Sequence, residues 1–122
     1  MLIFHANALD LERPILPGMD DTDTLVDPGG WDAVIYGHVH APSITVVDGC
    51  HLVNVASVGF PTDGIPKPAY TEFILDGGTW EIRQHRIDYD LEQAEAVIRA
   101  STMPDSEVVV TLLRSARRVR GG

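Results

Sequence analysis

Apolar residues fall into short unbroken runs early in this chain and into strand-like and helical spacings later. Leu2, Ile3 and Phe4 form a run with no helical period that ends at His5 and Ala6, which predicts a buried strand. Residues 32–36 bring Ala33, Val34 and Ile35 together as a second buried strand, stopped by Gly37 immediately before His38, Val39 and His40. Residues 43–47 and 52–56 flank Asp48 and Gly49, the pattern of a β-hairpin. A second hairpin is predicted from residues 69–75 and 79–87 around Asp76, Gly77 and Gly78, and two hairpins in succession suggest an antiparallel sheet edge.

Helical spacing appears only near the C-terminus. Leu91, Ala94, Val97 and Ile98 predict a helix over 91–100, with Asp90 as N-cap and Gln93 three residues on, a variant of the capping box. Pro104 and Asp105 open a second helix, against the β-branched Val108, Val109, Val110 and Thr111. Residues 7–30 are punctuated by Pro14, Pro17, Gly18, Pro28, Gly29 and Gly30 and read mostly as loop, with room for a helical turn near residues 21–26. No repeat, low-complexity segment or linker divides the chain, so its 122 residues form one domain of α/β class.

Composition narrows the function classes. Apolar and charged shares of 44% and 22% are those of a globular protein, and no apolar run approaches the roughly 18 residues of a membrane span. No Lys or Arg precedes the first apolar run, so a secretory start is missing and a cytoplasmic setting is expected. The lone Cys50 cannot form an internal disulfide and reads as a small core or hairpin residue. A net charge of −9 argues against a duplex nucleic acid partner. Arg114, Arg117, Arg118 and Arg120 make a basic tail that fits either a local anion contact or a solvated helix end, the dipole favouring the latter.

Candidate chemistry sits at Gly37-His38-Val39-His40. Two imidazoles two positions apart in extended chain share one face, about 6–7 Å apart at Cα, which suits two ions about 3.5–4 Å apart. A His-x-His pair also fits surface or core histidines; here a strand delivers it, and another strand ends at His5. Histidines at the ends of separate strands converge on one rim, where α/β proteins build sites. Neutral imidazole accepts Zn, Mn, Fe or Ni, so residue type alone does not select the metal.

The stretch Asp32-Ala-Val-Ile-Tyr-Gly-His-Val-His-Ala-Pro42 resembles the strand plus Gly-His-x-His signature of calcineurin-like metallophosphoesterases, especially small bacterial and archaeal phosphodiesterases. Leu52-Val-Asn-Val-Ala-Ser-Val-Gly-Phe-Pro-Thr-Asp-Gly64 is similar to the family's Asn-Pro-Gly-Ser-Val-Gly segment, with Val55 and Ala56 in place of Pro and Gly. Leu2-Ile-Phe-His-Ala6 resembles the family's strand ending in His-Gly, with Ala6 for Gly. The resemblance implies that His5 and His38 bind one divalent metal and His40 a second. It also implies that Asn54, Ser57, Gly59 and Asp63 lie near the substrate rim or shape its loops. His51 and His85 have no such match and read as ordinary strand residues.

The similarity covers only the second half of the family domain. The expected fold is therefore one side of a four-layer αββα sandwich, a partial domain over residues 1–122 with a mixed sheet, two hairpins and C-terminal helices. The family's Asp-x-His, Gly-Asp-x-x-Asp and Gly-Asn-His strings, which include the bridging carboxylate, do not occur here. Three neutral imidazoles alone leave two cations to repel each other, so a tight binuclear centre is not expected from this chain by itself.

Where the site is complete, the resemblance implies that it holds a phosphate-ester substrate across two metals for in-line attack by an activated water. Met1 is then expected to be an internal or misassigned start, with the other half upstream or on a separate chain. Strands 2–4 and 32–36 would be left with bare edges, which favours a homo-oligomer or pairing with the missing N-terminal half. The alternative is a noncatalytic metal-binding or interaction module that keeps half the fold.

Overall fold

The computed structural model describes residues 1–16, 19 and 29–117. The helical turn expected near residues 21–26 lies outside the described residues, as do Arg118 and Arg120. In chain order the elements are β1 (Leu2–Ile3), β2 (Ala33–Tyr36), β3 (Ser43–Val47), β4 (Cys50–Asn54), β5 (Ala69–Asp76), β6 (Thr79–Arg86), α1 (Leu91–Ala100) and α2 (Ser106–Ser115).

A four-stranded mixed sheet has the order β1-β2-β4-β3. β1 runs parallel to β2 with Leu2 opposite Val34, and β2 runs parallel to β4 with Val34 opposite Leu52. Three parallel strands thus bring their carboxyl ends to one edge of the sheet, which assembles the histidines. All four residues of β2 are buried, as an unbroken apolar run between two parallel neighbours requires. β2 is therefore central, and the bare edge expected for residues 32–36 is corrected to β1, where Ile3 is 63% exposed.

β3 returns antiparallel along β4 through Asp48 and Gly49, both at positive φ (48° and 83°), as a two-residue hairpin turn demands. The β4 strand occupies 50–54 rather than 52–56: Asn54 is its last residue paired on both sides, and its side chain accepts the amide of Ala56, where the chain turns at φ +73°. One face of the sheet gathers Val34, Tyr36, Cys50 and Leu52 under Ile15, with Leu2, Phe4, Met19 and Val47 at the margin. Ile15 is held there because buried Asn7 organises the loop behind it. The Asn7 Oδ1 accepts from the amides of Leu9 and Asp10, both 2.7 Å, and its Nδ2 donates to the Arg13 carbonyl. Burial pushes the Cys50 thiol up, which disfavours thiolate chemistry there.

Among the described residues β5 and β6 pair only with each other, as a separate two-stranded sheet turning at Gly77 and Gly78. The antiparallel continuation suggested by two successive hairpins is thus corrected to a second small sheet. Gln84 of β6 ties it to the first by donating to the Asn54 carbonyl at 2.8 Å.

The α1 helix begins at its cap: the Asp90 side chain accepts from the Gln93 amide at 2.9 Å. The α2 helix forms despite its valines because Val110 and Leu113, three positions apart, are buried on one side. Glu95 of α1, 3% exposed, is the polar centre between the helices. It accepts from Arg114 through both carboxylate oxygens, at 2.7 and 2.9 Å, and from Arg99 at 3.2 Å. These bonds, Arg114's foremost, hold its carboxyl below the usual carboxylate range.

Candidate metal centre at the strand ends

His5 leaves β1 where its carbonyl accepts the Gly37 amide at 2.8 Å, so the ends of β1 and β2 are stitched side by side. The chain then turns sharply. The Val39 amide donates to the Gly37 carbonyl at 2.8 Å, closing a three-residue turn centred on His38 at φ +67°. That geometry is rare and strained for a residue with a side chain, and such strain concentrates at functional sites. The His38–His40 segment is therefore not the extended pair read from sequence, and Val39 between them is buried.

This turn carries the His38 ring to the His5 ring. His5 Nε2 lies 2.9 Å from His38 Nδ1, with ring centroids 4.9 Å apart and planes nearly perpendicular. Without a cation, one nitrogen donates a proton to the other. That separation is near what two ligands of one ion need: nitrogens about 2.05 Å from a metal are roughly 2.9 Å apart at an octahedral angle and roughly 3.4 Å at a tetrahedral one. The pair therefore fits a shared cation with little movement.

His40 is held differently. Its Nδ1 lies 2.7 Å from the Phe60 carbonyl, which can only accept, so Nδ1 carries a proton and the neutral ring has its lone pair on Nε2. A backbone carbonyl that sets the tautomer in this way is the usual support of a metal-ligating histidine. The Thr62 amide also donates to the His40 carbonyl at 2.8 Å, so main chain and ring rest on one loop.

Ser57 and Asn54 shape that loop. Ser57 Oγ accepts from the amides of Gly59 and Phe60 at 3.2 and 3.1 Å, aiming the peptide whose carbonyl meets His40. Buried Asn54 donates to the Gly37 carbonyl at 3.3 Å and accepts from the Ala56 amide at 2.9 Å, joining the loop to the histidine turn. Ala56 sits at φ +73°, a left-handed conformation, at the position where the resembling segment has glycine.

His5, His38 and His40 line one cavity of about 380 Å³, with Phe60, Pro61, Thr62, Leu112 and Arg117. That volume is within the range of small-ligand sites. Asn54, Ser57, Gly59 and Asp63 do not line it. Asp63 is paired with Arg86 of β6, and Gly59 borders a larger apolar cavity of about 610 Å³ beside α1 that contains no histidine. Among the described residues, no three His, Cys, Asp or Glu side chains converge closely enough to hold an ion unaided. His51 and His85 stand apart, His85 stacking on Tyr70 at 4.8 Å.

Arg117 and the Phe60 carbonyl are the parts sequence reasoning passed over. Arg117 stood among the tail arginines, but the structure separates them: Arg114 is taken up by Glu95, while Arg117 borders the histidines. A backbone carbonyl leaves no mark in residue type.

No family model matches the sequence. An uncharacterized protein of Methanocaldococcus jannaschii is 29% identical over 89 residues, taking in 61% of this chain and 36% of that protein. Among solved structures, a metallophosphoesterase from Sphaerobacter thermophilus matches with a TM-score of 0.76 at 20% identity, over 93% of this chain and 55% of that one. A hypothetical protein from Pyrococcus horikoshii matches with a TM-score of 0.76 at 16% identity, over 96% and 46% of the two chains. At these identities the likeness is one of fold. The chain has a metallophosphoesterase-like fold and spans about half the length of these two structures. No helix among the described residues is long and apolar enough to cross a membrane.

Proposed function

We propose that this chain supplies the histidine side of a divalent-metal site in a phosphoesterase that hydrolyses phosphate mono- or diesters. His5 and His38 would hold one ion and His40 a second. The observation that carries the reading is the 2.9 Å approach of His5 Nε2 to His38 Nδ1 at the edge where three parallel strands end. A bound divalent ion supplies Lewis-acid polarisation of a phosphoryl oxygen and lowers the pKa of water near it.

The chain's own residues do the rest of what can be derived. The strained turn at His38 presents its ring to His5, and Phe60 fixes the tautomer of His40. Pro61, Phe60 and Leu112 give the cavity its apolar walls beside the histidines and Arg117. Asn54 and Ser57 act through the loop and position the histidines. Gly59 and Asp63 contribute to the same loop from outside the cavity. No carboxylate among the described residues lines the cavity. The anionic ligands and the leaving-group acid would come from the part of the metallophosphoesterase-like fold that this chain, spanning about half of each solved neighbour, does not cover.

The test is hydrolysis of an aryl phosphodiester by the protein in its complete natural form, with Mn²⁺ and with chelator. Activity that needs the metal and is lost in His38→Ala and in His40→Ala supports the reading. Hydrolysis indifferent to chelator and to both substitutions overturns it. Tight metal binding with no hydrolysis of any phosphate ester by the complete protein would instead favour the noncatalytic module. What favours that second reading is the lack of carboxylate lining.

A further inference from the structure

We infer that Arg117 is the phosphate-binding residue of the histidine cavity, its guanidinium taking two non-bridging oxygens of the substrate's phosphoryl group. The inference rests on the phosphoesterase reading and names the group that would recognise the anion.

Although Arg117 lies just beyond the last helix, its backbone is fixed. The preceding Ala116 is fully buried, at φ +48°. Its amide donates to the Leu112 carbonyl at 2.9 Å, and its carbonyl accepts the Gly64 amide at 2.8 Å. The end of α2 is thereby docked on the loop that also carries Pro61 and Thr62. Gly64 makes room for the guanidinium: at φ +84°, a Cβ there would stand 3.3 Å from Arg117 Nη2 and 3.5 Å from Nε. A glycine at this point lets the planar group lie close against the backbone.

Charge partners set Arg117 apart. Arg83 is bonded to Glu81, Arg86 to Asp63, Arg99 to Glu95 and Glu107, and Arg114 to Glu95. The Arg117 guanidinium has no carboxylate partner among the described residues, in a chain with twice as many acidic as basic side chains (18 against 9). It lines the cavity with three histidines and no described carboxylate. A concave site with one sign of charge and apolar walls concentrates counter-ions. A guanidinium free to present its fork matches a phosphoryl group through two parallel hydrogen bonds, which an ammonium does not reproduce.

The test is a titration of the protein in its complete natural form with inorganic phosphate, followed without metal by NMR of the Arg117 Nε–H and the histidine rings and with Mn²⁺ by calorimetry. Wild type should show saturable shifts at Arg117 without metal and saturable binding heat with Mn²⁺. Arg117→Gln should weaken phosphate binding by roughly tenfold or more, as loss of a charge-assisted hydrogen bond implies, and Arg117→Lys by less. Manganese affinity should stay within about twofold in both variants, since Arg117 is no metal ligand. Arg83→Gln, an exposed strand arginine, should leave phosphate affinity unchanged.

Equal phosphate binding by wild type and Arg117→Gln, or none by wild type, overturns the inference. Failure of Mn²⁺ to perturb His5, His38 or His40 overturns the phosphoesterase reading instead. The metal-free phosphate titration still decides whether Arg117 binds the anion.

Discussion

The histidine rim and the Glu95 centre between the helices are both polar clusters in a small fold, and they are built on opposite principles. Around Glu95 a nearly buried carboxylate receives three hydrogen bonds from two arginines, so its charge is met and nothing remains to offer a ligand. At the rim, a left-handed His38 brings two ring nitrogens to 2.9 Å, and His40 spends one nitrogen on a carbonyl while keeping the other. Satisfaction without strain marks the structural cluster. Strain with leftover lone pairs marks the one fitted to bind something.

The comparison breaks first at the histidines. His38→Gly removes a ring nitrogen and suits the positive φ of the turn, so metal affinity should fall by at least the roughly 10–100-fold that losing a mere supporting partner costs. Thermal stability should stay level or rise. Calorimetric titration with Mn²⁺ alongside thermal melts checks both, and a variant that unfolds while still binding metal would reverse the two roles.

At the Glu95 centre the expected loss is of stability alone. Glu95→Gln keeps the shape and discards the charge that Arg114 and Arg99 surround, so denaturation midpoints should drop while metal affinity holds. The pH dependence has a definite sign. The folded-state pKa of Glu95 is depressed below its ordinary 4.5, Arg114 being the main cause. Its stabilisation is therefore fully present above that value and lost as pH falls through the lowered one. Urea titrations from pH 7 to 3 should show that acid slope in wild type and in His38→Gly, and a weaker one in Glu95→Gln.

Smaller effects refine the rim. Ser57→Ala strips the acceptor from the amides of Gly59 and Phe60 and should cost about 1 kcal/mol, with a fall in metal affinity of roughly tenfold as the Phe60 carbonyl drifts from His40. An unchanged metal affinity would detach the loop from the site. Ala56→Gly should raise stability by no more than about 1 kcal/mol, the left-handed penalty being partly offset by glycine's greater unfolded-state entropy. Metal binding should not change.

Much of this was legible in the sequence because it is local. The Asp90 cap, the two hairpin turns and the apolar runs of β1 and β2 are consequences of neighbouring residues, and His5, His38 and His40 could be named from strands that end in histidine. What stayed hidden is tertiary. The turn at His38 depends on Gly37 bonding to His5 across 32 positions, and the division of the strands into two sheets joins residues as far apart as Gln84 and Asn54. The basic tail looked uniform because its arginines differ only in what the fold sets against them. The valines of α2 weaken its helical propensity, and burial of Val110 and Leu113 outweighs that cost.

The most direct measurement is a crystal of the protein in its complete natural form, soaked in Mn²⁺ and examined by anomalous diffraction at the manganese edge. The account predicts a peak about 2.0–2.3 Å from both His5 Nε2 and His38 Nδ1, with neither ring displaced far from its partner. Rings still hydrogen-bonded to each other beside an ion bound elsewhere, or no peak at saturating manganese, would contradict it.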